Sequence, residues 1–367
     1  MDFAFDEDQA ALRQAVQTVL DAECNADALR AFELADESGR AEASANRWSV
    51  LAELGAPALV VPEGSGGLGL TDVDLVGVLE EAGRACLPEP LLETAALAAP
   101  TLAALQPDAA AAAALVALVH DDAVFAVGGV DVTAHGLASP TTVSADGTLR
   151  TPRVVGGRGA ARLLLACRDT ESGWQLHVVP ATSCTAEPTP ALSAARDLAT
   201  VHWPLDSDTL LAYGVAAEAV VSLLADRAAA GTAALLLGLA DRMLTMTAAY
   251  AKERHQFGRP IGSFQAVKHH LANARVALEF ARPATYRAAW SLATAQPTLP
   301  HDASMAKAMA SDAADLAASV ALQVHGAIGY TWECDLHFFL KQTWALSRAW
   351  GDAATHRRLV LAHALAR

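Results

Sequence analysis

The sequence is poor in aromatic residues and in charge. Aromatic residues make up 5% and charged residues 18% of its 367 positions, whereas hydrophobic residues make up 53%. This balance excludes an intrinsically disordered chain, because disorder needs low hydrophobicity and high charge. Much of the apolar content is alanine and leucine, which favours helices packed closely through small side chains. A chain of this length can form two or three domains.

Paired cysteines and long apolar runs are also missing. The five cysteines have no CxxC spacing and an odd count, which is typical of buried thiols in a reducing compartment. The first residues, MDFAFDEDQAAL, are acidic and amphipathic, unlike a signal peptide. The longest apolar run, residues 95–119, is interrupted by Pro100, Gln106, Pro107 and Asp108, so we expect no membrane span. These features predict a soluble, cytoplasmic protein.

An excess of positive charge is absent as well, since the net charge is −15, and this argues against nucleic-acid binding. Basic residues nevertheless gather in residues 250–270 (YAKERHQFGRPIGSFQAVKHH). A long helix should break there at Phe257-Gly258, and the next should start at Ser263, a residue type that favours the N-cap. Backbone N–H groups at a helix start, joined by the guanidinium of Arg254, suit a phosphate. The alternative is a helical corner with solvated charges.

The spacing of apolar residues changes twice along the chain. Helical spacing gives way to short apolar runs separated by turn residues, and helical spacing then returns. We predict a mainly α protein with an N-terminal helical domain (residues 1–119), a middle antiparallel β domain (120–208) and a C-terminal four-helix bundle (209–367). Residues 145–148 (ADGT) predict a hairpin in the β domain. A break near Gly231 is expected in the first bundle helix.

Three stretches resemble motifs of the acyl-CoA dehydrogenase family, and the resemblance spans essentially the whole chain. Residues 61–69 (VPEGSGGLG) resemble its N-terminal glycine turn. Residues 254–265 (RHQFGRPIGSFQ) resemble its R-x-x-F-G…Q signature, and residues 323–330 (QVHGAIGY) its Q-x-x-G-G-x-G-[FY] loop. The resemblance implies the same three-domain fold, FAD as the cofactor and α,β-desaturation of an acyl-CoA thioester. It also implies an electron-transferring flavoprotein as the electron acceptor.

The resemblance further implies half of an FAD site at a subunit boundary. Arg254 would pair with the pyrophosphate, and Phe257 would pack near the adenine–ribose portion. Glutamines would donate hydrogen bonds, and glycine would let the backbone approach closely. No metal site is expected. The implied cofactor-binding residues are Arg254, Gln256, Phe257, Gln265, Gln323, Gly326 and Ala327, the last in place of the family's second glycine.

The other half of the site does not match the family. Its T-E-P-x-x-G-S-D motif has no counterpart in residues 124–132 (VFAVGGVDV). Desaturation needs a carboxylate that removes the α-proton, and the family's two places for it fall on Trp350 and Ala228. The nearest carboxylates are Asp352 and Asp226. Asp352 fits a helix N-cap better, and Asp226 should face the opposite side of its helix from Ala228.

Residues 329–337 (GYTWECDLH) resemble the actinobacterial branch that works as heteromeric α2β2 assemblies. In that branch two different chains share each active site, and members act on steroid side chains or similarly bulky acyl-CoA thioesters. The resemblance implies a supporting subunit whose partner, a second acyl-CoA dehydrogenase-like chain, supplies the base. One alternative is a self-sufficient homotetramer with Asp352 or Asp226 as the base. Another is a flavin-free scaffold protein.

Overall fold

The computed structural model describes residues 5–144, 147–169 and 173–365. Helices, then strands, then helices follow one another along the chain, as the sequence predicts. The chain forms two compact units. Unit 1 contains Met1–Ala31, Val76–Leu87 and Ala229–Arg367, and unit 2 contains Phe32–Leu75 and Pro88–Ala228.

The N-terminal part is helical because its apolar residues recur at helical spacing and its acidic residues cap the helices. Asp6 caps α1 by accepting from the Gln9 N–H, while the Gln9 side chain accepts from the Asp6 N–H. Val16 and Leu20, one turn apart, form the buried face of α1. The helices are α1 (Glu7–Glu23), α2 (Ala26–Leu34), α3 (Glu37–Glu53), α4 (Asp72–Arg84), α5 (Ala99–Ala104) and α6 (Ala109–His120), with a π-helical segment at Leu92–Ala98.

The middle part contains two four-stranded sheets, ordered β1-β6-β7-β10 and β4-β5-β9-β8, and a β2-β3 hairpin. Trp203, wholly buried, lies in their core, and its Nε1 donates to Thr151 Oγ1 at 2.9 Å. The strands are β1 (Phe125–Gly128), β2 (Asp131–Thr133), β3 (Gly136–Ala138), β4 (Thr142–Val143), β5 (Leu149–Val155), β6 (Arg162–Asp169), β7 (Gly173–Pro180), β8 (Thr185–Pro188), β9 (Leu198–Trp203) and β10 (Leu210–Tyr213).

Pairing in these sheets is antiparallel, as predicted, with one exception. Strand β1 pairs with β6 in parallel. Between them the chain forms β2 to β5, and this long crossover lets it return in the same direction. Strands β4 and β5 pair antiparallel on either side of the predicted hairpin, of which Ala145 and Asp146 lie outside the described residues.

The C-terminal helices differ from the prediction in two places. The expected break near Gly231 is wrong, because α7 is continuous across it. The last helix predicted for the four-helix bundle is interrupted and forms two helices. Trp350 (φ 55°) and Gly351 (φ 89°) are left-handed, and no right-handed α-helix continues through that conformation. The helices are α7 (Gly214–Glu253), α8 (Gln265–Ala293), α9 (Leu299–His325), α10 (Leu336–Leu346) and α11 (Ala353–Leu365).

Helix α7 is long and apolar enough to cross a membrane, by length and composition alone. Of its qualifying 18-residue window, 67% is buried inside the fold. Core helices of soluble proteins pass the same test, so α7 is weak evidence for a membrane span.

Glycines bring α4 and α7 into backbone contact within unit 1. A Cβ on Gly83 would lie 2.0 Å from the carbonyl oxygen of Leu235, and one on Gly238 would lie 1.9 Å from that of Glu80. Both distances are far below van der Waals contact, so neither position admits a side chain without moving a helix. The close approach places the Glu80 carboxylate in the interior of unit 1.

Candidate functional site

A tight hairpin follows α7 and carries the arginine motif. Strands β11 (His255–Gln256) and β12 (Arg259–Pro260) pair antiparallel. Phe257 and Gly258 form the two-residue turn, with φ of 54° and 76°. Two left-handed residues in succession are the mark of a type I′ turn, whose twist matches that of the paired strands. The break predicted at Phe257-Gly258 is therefore a hairpin tip, and the helix itself ends at Glu253.

The side chains of this hairpin face solvent. Phe257 is 91% exposed, and its ring makes an edge contact with that of Phe264, at 6.1 Å between ring centroids. The Arg259 guanidinium lies over the ring of Phe264 at 4.2 Å. Arg254 and Gln256 are exposed, and no ion pair or hydrogen bond of the Arg254 side chain occurs within the described residues. An exposed aromatic residue held in a left-handed conformation is typical of a binding surface.

Helix α8 begins without a side-chain cap. Ser263 was expected at its N-cap, and this is wrong. Ser263 belongs to a 3-10 turn (Ile261–Ser263), and its hydroxyl donates to the Pro260 carbonyl at 2.7 Å. Phe264 occupies the N-cap and makes no capping hydrogen bond, so the first N–H groups of this 29-residue helix remain available to an anion. Gln265, the first residue of α8, is exposed beside them.

The second motif lies where α9 ends. Gly326 follows the helix with φ 64°, and a Cβ built there would meet nothing within 4 Å. Glycine therefore allows the left-handed turn and leaves open space above it. Gln323, in the last turn of α9, and Ala327, in the 3-10 turn that follows, are both exposed. Each cofactor-binding residue predicted in this motif is thus accessible.

A ring stack joins the two motifs. The rings of Tyr250 and His325 lie 4.4 Å apart at an interplanar angle of 18°. The His325 Nδ1 is 2.8 Å from the Ala321 carbonyl, and burial lowers the pKa of His325. Since Tyr250 lies one turn before Arg254 and His325 immediately precedes Gly326, the stack places both motifs at one end of the helices in unit 1. Sequence spacing alone did not reveal this contact.

The family's two positions for the catalytic base carry Trp350 and Ala228 in place of a carboxylate. Ala228 is fully buried. The Asp352 Oδ1 accepts from the Thr355 N–H at 2.7 Å, so Asp352 caps α11, and this hydrogen bond lowers the pKa of its carboxyl. Burial raises the pKa of Asp226 to about 7. No cluster of three or more metal-ligating His, Cys, Asp or Glu side chains occurs among the described residues.

The glycine pair of residues 124–132 serves the packing of unit 2. A Cβ on Gly129 would lie 1.8 Å from the Ala166 carbonyl oxygen, and one on Gly128 would lie 2.8 Å from the Val154 side chain. Both glycines are therefore required by neighbouring strands. This stretch has no hydroxyl, and its one carboxylate, Asp131, is paired with Arg153 at 2.8 Å.

Comparison with known proteins identifies the family. The family models "Acyl-CoA dehydrogenase, N-terminal domain" and "Acyl-CoA dehydrogenase, C-terminal domain" match residues 6–119 and 219–365. Acyl-CoA dehydrogenase IpdE2 of Mycobacterium tuberculosis is 34% identical over 92% of this chain and 91% of its own length. Acyl-CoA dehydrogenase FadE34 of the same organism is 34% identical over 91% of this chain, but over 44% of its own length.

Two solved structures of paired chains have a similar fold. The ChsE4-ChsE5 complex from Mycobacterium tuberculosis gives a TM-score of 0.83 at 25% identity, covering 100% of this chain and 99% of the matched chain. A variant of the steroid ACAD Tcur3481-Tcur3483 gives a TM-score of 0.83 at 28% identity, covering 98% of this chain and 99% of the other.

Proposed function

Because this chain belongs to the acyl-CoA dehydrogenase family of FAD-dependent oxidoreductases that act on CH–CH bonds, we propose that it is the supporting subunit of a heteromeric dehydrogenase. It contributes the pyrophosphate and adenine half of an FAD site. A second acyl-CoA dehydrogenase-like chain contributes the contacts to the flavin ring and the catalytic base.

The observation that carries this proposal is the uneven state of the two halves of the site. The arginine hairpin and the Gly326 turn present exposed, unpaired groups at one end of the helices. In residues 124–132, where the family carries its flavin-ring motif, neighbouring strands occupy the space beside the two glycines instead. Family positions for the base carry Trp350 and Ala228, neither of which can accept a proton from carbon. A chain that retains one half of an FAD site can share that site with a partner chain that supplies the other half.

The residues of the retained half fit an FAD pyrophosphate. The guanidinium of Arg254 can hold two phosphate oxygens at once, and the uncapped N–H groups of α8 add a positive dipole end. The exposed ring of Phe257 offers a surface for the adenine, and Gln265 and Gln323 offer amide donors. When bound, FAD supplies the hydride acceptor for desaturation of the thioester. The chain's own residues hold and orient the cofactor.

Two relatives give the proposal its partner and substrate class. One of the two solved structures is the ChsE4-ChsE5 complex, and the other is a steroid ACAD, Tcur3481-Tcur3483. By analogy this chain works with a related chain on a steroid-type or similarly bulky acyl-CoA thioester, in the cytoplasm. It passes electrons to an electron-transferring flavoprotein.

A homotetramer with its own base is the second candidate. Asp226 supports it, because a carboxyl with a pKa raised to about 7 is matched to proton abstraction near neutral pH. Asp352 supports it less, since its carboxylate caps α11. A flavin-free scaffold, the third candidate, gives no reason for an exposed Phe257 and an unpaired Arg254 at one hairpin.

Flavin absorbance per chain separates the three candidates. The chain would be purified alone, and again after co-expression with a related dehydrogenase chain from the same locus. We expect no flavin on the chain alone and one FAD per pair of chains after co-expression. One FAD per chain alone would favour the homotetramer, and an Asp226→Asn variant would then test the base. Absence of flavin from both preparations would favour the scaffold.

Matched arginine variants test the retained half directly. Arg254→Gln in the co-expressed pair should lower the bound flavin, because it removes the bidentate phosphate contact. Arg357→Gln is the control, since it removes the same charge from an exposed residue of α11 that pairs only with Asp312 among the described residues. Equal flavin content in the two variants would contradict the assigned role of Arg254.

A further inference from the structure

A cleft beside α3, within unit 2, takes no part in the flavin site. It encloses about 380 Å³, and the residues that line it lie between Phe32 and Asp197. No residue of the arginine hairpin or of the Gly326 turn contributes to it. The volume falls within the range of small-molecule sites. We call it the α3 cleft.

The floor of the α3 cleft is apolar and fixed. Phe32, Trp48 and Pro88 line it and are buried. The Trp48 Nε1 donates to the Asp122 carbonyl at 2.7 Å, which sets the orientation of the indole. The Arg47 guanidinium lies over the ring of Phe32 at 4.8 Å and covers one of its faces. The floor therefore offers a rigid aromatic surface to a flat ring.

One buried acceptor in the cleft wall lacks a donor. Glu89 lines the cleft and is only 8% exposed. Its Oε1 accepts from the Arg47 Nε at 2.9 Å and lies 2.8 Å from an Arg47 terminal nitrogen. Its Oε2 has no hydrogen-bond partner within the described ranges. Because a buried acceptor without a donor is costly, a ligand that donates one hydrogen bond there gains stability.

The charges around the cleft disfavour an anion. Arg158 spans the rim and binds two carboxylates, with its Nε 2.9 Å from the Asp197 Oδ1 and one terminal nitrogen 2.9 Å from the Glu37 Oε1. Arg47 is neutralised by Glu89 in the same way. Arg40 also lines the cleft, but four carboxylates (Glu37, Glu89, Asp122 and Asp197) line it against two arginines, so its charge is net negative and disfavours phosphates such as those of CoA. A neutral ligand meets no unpaired charge at these two pairs.

We propose that the α3 cleft binds a neutral, ring-bearing alcohol. Its hydroxyl donates to the Glu89 Oε2, and its ring lies against Trp48. The site is separate from the flavin half-site and is independent of the proposed function. Ligand binding is measured on the purified chain without FAD, so a negative result there would not bear on the flavin experiment.

Gly159 offers a way to close the cleft without disturbing its polar groups. A Cβ at Gly159 would meet nothing within 4 Å, whereas one at the neighbouring Gly156, with φ 65°, would lie 2.9 Å from the Pro90 side chain. Gly159→Leu therefore adds an apolar side chain at the cleft while the backbone is retained. Gly64→Leu is the matched control, because Gly64 is equally unobstructed and does not line the cleft.

The probes are 2-naphthol, 2-methoxynaphthalene and 2-naphthoate, with binding measured by ligand-observed NMR. We expect 2-naphthol to bind the unaltered chain and Gly64→Leu equally, and Gly159→Leu at least about tenfold more weakly. Methylation of the hydroxyl should weaken binding about tenfold, because the donor to Glu89 is lost. No binding of 2-naphthol, equal binding of 2-methoxynaphthalene, or tighter binding of 2-naphthoate would each overturn the proposal.

Glu89→Gln adds a second line of evidence where the fold survives. It keeps the shape of the side chain but puts either an amide oxygen or an amide NH₂ at the position of Oε2. A folded variant, verified by its circular dichroism and melting curve, should bind 2-naphthol more weakly than Ser49→Ala, which alters another residue of the cleft lining. Equal affinity of the two variants would contradict the role of Glu89.

Discussion

The Lys307 Nζ lies 2.9 Å from the carbonyl oxygen of Gly351 and donates a hydrogen bond to it. It also donates to the Ser347 carbonyl and to the Ser311 hydroxyl, each at 3.1 Å. The side chain is completely buried. Lys307 therefore fixes the loop between α10 and α11, including the left-handed Trp350, in the place where the family resemblance puts a catalytic carboxylate.

Replacing Lys307 with Met should destabilise unit 1. The apolar side chain fills a similar volume but leaves two carbonyl oxygens and one hydroxyl without this donor. We expect a loss of about 1–3 kcal/mol in the free energy of unfolding, measured by urea denaturation. Lys341→Met, at a half-buried position on α10, serves as the control for loss of one positive charge.

The difference in stability between the unaltered chain and Lys307→Met should depend on pH. Burial lowers the pKa of Lys307 from 10.5 to about 7. Between these values the unfolded chain binds more protons than the folded one, so the contribution of Lys307 to stability is fully present above pH 10.5 and is lost progressively as pH falls from 10.5 to about 7. The stability difference between the unaltered chain and Lys307→Met should therefore grow from pH 7 to pH 9. A difference that stays constant would contradict this assignment.

Asp352 should prove to be a capping residue. Its Oδ1 accepts from the Thr355 N–H, so Asp352→Ala should cost about 0.5–2 kcal/mol, whereas Asp352→Asn should cost little, because asparagine also caps. The hydrogen bond lowers the pKa of Asp352 below 3.8, so this stabilisation is present above that pH and is lost as pH falls through the folded pKa. Thermal melts of both variants, at pH 7 and pH 3, measure it.

Local sequence signals predicted much of this fold. The capped, amphipathic α1 and the turn residues of the middle sheets follow from residue types and spacing alone. Contacts between distant residues did not follow. The unbroken α7 at Gly231 depends on tertiary packing, which overrides the low helix propensity of glycine. The parallel β1–β6 pair depends on how the chain crosses over, which no local pattern records.

In the candidate site, too, the sequence predicted the local motifs but not the contacts between distant residues. The sequence motif marks Arg254 and Gly326, but their proximity depends on the Tyr250–His325 stack, which joins residues of α7 and α9. Ser263 was expected at the N-cap because its residue type favours that position, yet its hydroxyl is engaged by Pro260. A preference for capping does not reveal whether a hydroxyl will accept from a backbone N–H, as at an N-cap, or donate to a nearby carbonyl, as that of Ser263 does.

Tyr250 should act as a positioning residue for the flavin half-site. Tyr250→Leu removes the stack on His325, so the arginine hairpin loses one contact that holds it beside the Gly326 turn. We expect a roughly tenfold weaker FAD affinity in the assembled enzyme, measured by titrating the deflavinated assembly. Tyr250→Phe keeps the ring and should retain most of the affinity. A purely structural role would change the melting temperature but leave the affinity of the folded assembly intact.

The strongest single destabilisation should come from Glu80. Its carboxylate is 2% exposed, pairs with Arg13 at 3.1 Å and with Arg282, and accepts from the Tyr286 hydroxyl at 2.7 Å. Arg13 also pairs with the buried Glu81 at 2.7 Å, so Glu80→Gln leaves Arg282 without its buried counter-charge, which costs about 3–5 kcal/mol.

Glu279 supplies the matched control for this prediction. Its carboxylate also lies near Arg282, at 3.5 Å, but the side chain is 47% exposed, so water screens the interaction. Glu279→Gln should therefore change the free energy of unfolding by about 0–1 kcal/mol. Both variants lose one negative charge beside the same arginine, so a difference between them in urea denaturation measures the effect of burial. Similar losses in the free energy of unfolding for the two variants would contradict this prediction. They would indicate that water reaches Glu80 despite the close packing of α4 and α7 at Gly83 and Gly238.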